Sequence, residues 1–87
     1  MATDNNEKIK AGQEAQTILD NPLVVGAFNQ ILNDGYQQWI STKPEDKDTR
    51  ETLYYLQVNA LKFKQILINT VDSGKIAEQE VKEGKNG

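Results

Sequence analysis

Residues 42 to 72 read TKPEDKDTRETLYYLQVNALKFKQILINTVD, a polar loop followed by the longest periodic stretch of the chain. Leu53, Leu56, Ala60, Phe63, Leu67 and Val71 recur at steps of three and four, a coiled-coil-like seam, and Tyr54, Val58, Leu61 and Ile68 widen it on one flank. This spacing predicts a helix over about 48–72. Asp48 with Glu51 three residues on follows the logic of a capping box, and Pro44 is the alternative first helical residue. Ser73-Gly74 supplies the expected stop, since glycine takes the left-handed conformation at a helix end at no steric cost.

On the other side of the loop, a second helix is expected over about 22–41, with Leu23, Val24, Ala27, Phe28, Ile31, Leu32, Trp39 and Ile40 forming a wide apolar stripe. Gly26 and Gly35 lie inside it, where glycine is unfavourable. Each marks either a close approach of a neighbouring backbone or a break at Asp34-Gly35. The period carried through Ile31, Gly35 and Trp39 favours continuity. Asn21-Pro22 separates this helix from an earlier one over about 7–20, carried by Ile9, Ala11, Ala15, Ile18 and Leu19 and weakened by Gly12. Proline disfavours helix at the residue before it, while Asn as N-cap and Pro at the first helical position start the next helix.

Two long helices joined by a short polar loop should lie antiparallel, with the first helix laid across them. The fold class is therefore all-α, a small three-helix bundle dominated by an antiparallel helical hairpin. Residues 1–6 are expected to be disordered, 7–74 to form the bundle, and 75–87 to be a flexible polar tail with too few apolar residues to offset the entropy of ordering it.

The chain has 87 residues, 37% hydrophobic and 26% charged, enough for one small core. It contains neither Cys nor His, which removes disulfides, thiol nucleophiles, imidazole bases and the usual zinc ligands. A net charge of -3 argues against a phosphate-binding surface covering the whole molecule. The longest nearly apolar run, Leu23 to Phe28, is far short of a bilayer span. The polar, acidic start Met-Ala-Thr-Asp-Asn-Asn-Glu lacks a signal-peptide pattern, so a cytoplasmic location is expected.

Acids at Glu45, Asp46, Asp48 and Glu51 could in principle hold a hard cation, but Lys47 and Arg50 interrupt them and no glycine turns the loop. Helix starts account for them better. Asp34, Glu51 and Asp72 offer carboxylates with nothing to set their separation. Lys43, Lys47, Arg50, Lys62 and Lys64 are interleaved with acids and build no positive field. No catalytic, cofactor-binding or metal-ligating residue, and no small-molecule substrate, is therefore assigned.

What remains is contact. The seam of the third helix is broader than one neighbour can cover, so a second copy or another protein is expected to cover the surplus. Trp39, Tyr54 and Tyr55 should meet at the loop end of the hairpin, as a core cap or as an aromatic anchor. With Val58 and Ile68 they are the candidate partner contacts.

The arrangement Ala15-x-x-Ile18-Leu19-Asp20-Asn21-Pro22, then Trp39, Asp48-x-Arg50-Glu51, Ala60-Leu61 and Asp72-Ser73-Gly74-Lys75 resembles small helical proteins of tailed bacteriophages, encoded among virion and packaging genes. The likeness covers about residues 11 to 77. It implies a non-enzymatic virion component or assembly factor, located in the virion or the cytoplasm of an infected cell. It transfers no functional residue. The rival readings are a DNA-packaging factor of the small-terminase kind and an acidic inhibitor of a host protein.

Overall fold

The computed structural model describes residues 4 to 84, which form three helices and no strand: α1 (Asn5–Asp20), α2 (Pro22–Ile40) and α3 (Lys47–Lys82). Asp4 caps α1, its carboxylate accepting the Glu7 N–H at 2.8 Å. Asn21 acts twice. Its N–H donates to the Ile18 carbonyl at 3.2 Å to close α1, and its side-chain oxygen accepts the Leu23 N–H at 2.8 Å to open α2, with Pro22 at the first helical position. α2 then runs unbroken through Gly35.

The loop between α2 and α3 turns at Pro44-Glu45, where Asp46 binds Lys43 twice: the Lys43 N–H donates to the Asp46 carboxylate at 3.0 Å and the Asp46 N–H to the Lys43 carbonyl at 2.9 Å. Asp46, not Asp48, is the residue before α3, and its side chain serves the loop. The expected capping pair of Asp48 and Glu51 is therefore not the helix start, and neither is Pro44.

α3 is longer than expected. It passes through Ser73-Gly74 without a break and ends at Lys82, 36 residues in all, a rise of about 54 Å. Gly74 serves close approach rather than a turn: a Cβ there would lie 3.0 Å from Gly12 Cα and 3.0 Å from the Lys8 carbonyl. A Cβ on Gly12 would lie 3.0 Å from Gly74 Cα and 3.2 Å from the Thr70 carbonyl. The left-handed glycine comes ten residues later at Gly84, with φ of 75° and its N–H on the Val81 carbonyl.

Residues 75–82, expected as flexible tail, are helical because α1 lies against them. Ala77 keeps only 1% of its surface, and the buried Asn5 donates its Nδ2 to Glu80 Oε2 at 3.1 Å. Asn5 and Asn6, expected as disordered, are likewise the first residues of α1. The outermost parts of those two expectations, residues 1–3 and 85–87, lie outside the described residues.

Contacting positions fix the topology. Phe28 meets Phe63, Gly35 meets Gln57 and Trp39 meets Arg50, so numbers rise on α2 as they fall on α3. Asn5 with Glu80 and Gly12 with Gly74 show the same for α1. Both α2 and α1 are therefore antiparallel to α3, with α2 on its N-terminal half and α1 on its C-terminal half. α1 is not laid across the hairpin. It prolongs the α2 arm past the Asn21-Pro22 break, because α3 continues far enough to receive it.

The result is a rod of 59 × 27 × 19 Å with a radius of gyration of 18.1 Å, against about 12 Å for a compact domain of this length. Burial is lopsided. Gly12 and Ala15 of α1 and Val71, Gly74 and Ala77 of α3 are buried together, while α2 buries no residue at all. Small residues let the α1 and α3 backbones touch. Between α2 and α3 bulky rings hold the helices apart, Phe28 stacking on Phe63 at 6.1 Å.

Gly12→Ala should lower stability by about 1–3 kcal/mol, since the backbone atoms opposite it have no room to yield. Gly26 has no heavy atom within 4 Å of a Cβ position, so Gly26→Ala should raise stability by about 0.5–1 kcal/mol through helix propensity. Urea unfolding followed by circular dichroism measures both, and the opposite signs are the point of the comparison.

Candidate interaction surface

The loop end is organised around Trp39. The Arg50 guanidinium lies over the indole, Cζ 4.0 Å from the ring centroid. Its Nη1 donates to Thr42 Oγ1 at 2.9 Å, and that hydroxyl donates to the Trp39 carbonyl at 2.6 Å. Trp39 still keeps 37% of its surface. Tyr54 and Tyr55 do not complete this cluster. They pack edge to face on each other, centroids 5.5 Å apart at 69°, and remain 60% and 54% exposed. The expected meeting of three rings as a core cap is thus replaced by an arginine cover, because Arg50 sits one turn ahead of Tyr54 and reaches the indole first.

Val58 and Ile68 are half-buried. Ile68 lines the hollow where α1 hands over to α2, beside Leu19, Val24, Val25 and Phe28. Tyr54, Val58 and Ile68 therefore follow one flank of α3, four and ten residues apart, and Tyr55 points about 100° away from them.

The opposite flank carries a groove of about 400 Å³ between α2 and α3, lined wholly by apolar side chains, among them Leu23, Ala27, Phe28, Ile31, Ala60 and Phe63. Leu23 at its rim is 83% exposed, and Leu56, Phe63 and Ile66 are exposed along the same side of α3. Two features of the sequence accompany it. In α2 the sole charged residue is Asp34, although the helix is largely exposed. On α3, Thr49, Thr52, Leu56, Asn59, Phe63, Ile66, Thr70 and Ser73 follow one another at steps of three and four without a single charge, about 36 Å of helix face. Both features are legible in the sequence, although the apolar spacing that marks the seam does not include Ile66.

Among the described residues no group of three or more metal-ligating side chains is placed to hold an ion, and no helix is long and apolar enough to cross a membrane. No protein-family model matches the chain, and no curated protein or solved structure is similar enough to count as a match.

Arg50→Ala removes both the cover of the indole and the bond to Thr42. It should lower stability by about 1 kcal/mol and move the fluorescence of Trp39, the single tryptophan, to longer wavelength as water reaches the ring.

Proposed function

We propose that the protein is a non-enzymatic interaction module that works by docking the apolar face of α2 and the N-terminal half of α3. The observation that carries this reading is α2 itself, which has 19 residues, one charge and no buried side chain. A helix made to face water carries charged or polar groups on its outer side, whereas α2, beside its Asn and Gln residues, leaves Leu23, Val25, Ile31, Tyr36 and Ile40 exposed. The exposed aliphatic and aromatic groups along the groove form the continuous patch that marks association sites on soluble proteins. The setting we propose is the assembly or structure of a tailed-phage particle, as the resemblance over residues 11 to 77 implies. Of the basic residues Lys43, Lys47, Arg50, Lys62 and Lys64, Arg50 is turned onto Trp39, which favours protein over nucleic acid as the partner.

Affinity capture from phage-infected cells tests the reading. The wild-type chain should retain phage structural proteins, and Leu23→Glu should lose them with unchanged helicity, because Leu23 packs least within the protomer. Equal capture by the variant would rule the face out, and capture of one host enzyme would point to the inhibitor reading.

A further inference from the structure

We infer that the occupant of this face is a second copy of the chain, packed antiparallel along the uncharged stripe of α3 about a two-fold axis near Leu61. The inference rests on the interaction-module reading and names its partner. Four observations converge on it.

The first is area. The chain exposes 6766 Å², whereas a folded monomer of 9.8 kDa should expose about 5,200 Å². The excess is about 1,600 Å², and a stable interface needs about 800 Å² from each partner. A protomer of this shape has enough uncovered surface for an extensive dimer.

The second is charge. Two copies carrying a net charge of -3 each repel unless the surfaces that meet are neutral. The stripe from Thr49 to Ser73 is neutral throughout, as is the groove beside it. A partner of opposite charge is not called for.

The third is the order of residues in the stripe. Read from its two ends toward the middle, Thr49 corresponds to Ser73, Thr52 to Thr70 and Leu56 to Ile66, with Asn59 and Phe63 flanking the centre. Hydroxyls match hydroxyls and aliphatic groups match aliphatic groups. In a two-fold contact residue i of one copy meets j of the other and j meets i, so an antiparallel pairing centred at Leu61 sets no aliphatic group of the stripe against a hydroxyl.

The fourth lies at the ends. Lys8 of α1 stands beside Ser73, while the segment 43–48 before Thr49 carries Glu45, Asp46 and Asp48 against Lys43 and Lys47, a net charge of -1. Antiparallel pairing brings the lysine of each copy to this weakly acidic segment of the other, whereas parallel pairing would set the two acidic segments together. Each protomer contributes a two-helix layer, and the dimer closes as a four-helix arrangement over the Leu23–Phe63 groove.

The absence of cysteine from the sequence allows a direct test with the full chain. Light scattering should give twice the chain mass at 100 μM, and Leu23→Glu and Leu56→Glu should each weaken dimerisation roughly tenfold or more while circular dichroism stays helical. Under mild oxidation, a mixture of Leu56→Cys and Ile66→Cys chains should form a mixed disulfide dimer. Leu56→Cys alone should not, since its two copies would lie about ten residues, or 15 Å, apart. Linking of Leu56→Cys to itself would overturn the antiparallel arrangement. A monomeric wild type would overturn the second copy altogether. In that case, fluorescence of an apolar dye that binds the wild type and is lost in Leu23→Glu would leave the interaction-module reading standing with another partner, and no dye binding would remove both.

Discussion

The contact between Gly12 and Gly74 is the constraint on which the rest of the molecule depends. Interhelical distance is set by the side chains at the crossing, and here there are none. With no Cβ on either side, α1 sits directly on α3, Ala15 and Ala77 fill the adjacent turns, and the Asn5 amide reaches Glu80. This contact explains why α3 does not stop at Ser73-Gly74. A helix that ended there would leave the first half of α1 with nothing to pack on. The cost of glycine inside two helices, about 1 kcal/mol each, is offset by backbone contact and by burial of the turns on either side.

A core of glycine and alanine buries little apolar area, and apolar burial is the dominant favourable term in folding. The larger side chains of this chain are elsewhere, on α2 and the facing half of α3, where Phe28, Phe63, Ile31 and Leu23 are covered on one side only. The rod thus has a dry end with small residues and an open end with large ones. The two ends share α3, so a surface that covers the open end adds its burial to a single cooperative unit.

The sequence disclosed the elements better than their partners. Asn21-Pro22 announced its junction through two independent rules and lies where they put it. The continuity of α2 through Gly35 followed from the period of Ile31 and Trp39. Gly74 was misread because glycine has two uses, absence of a Cβ and access to positive φ, and a single sequence does not distinguish them. The matching Gly12-x-x-Ala15 and Gly74-x-x-Ala77 spacings were the available sign that both glycines were contact residues. Asp4-x-x-Glu7 was a readable helix start that the surrounding polarity obscured. The expected meeting of Trp39 with Tyr54 and Tyr55 did not follow, because Arg50 lay outside any aromatic argument and its reach to Trp39 depends on side-chain geometry that periodicity does not carry. The groove was hidden for the opposite reason, since apolar spacing reports a face without saying what lies against it.

The order of the helices along the chain has one further consequence. α1 and α2 are both completed before the element that receives them, and the bond from Asn5 to Glu80 closes over a separation of 75 residues. α2 finds its surface once the first half of α3 exists, whereas α1 has none until the last turns of α3 are made, and an isolated helix of 16 or 19 residues is marginal in water. The nascent chain therefore emerges as loosely helical segments, and the hairpin of α2 with the first half of α3 can form before α1 has anywhere to dock.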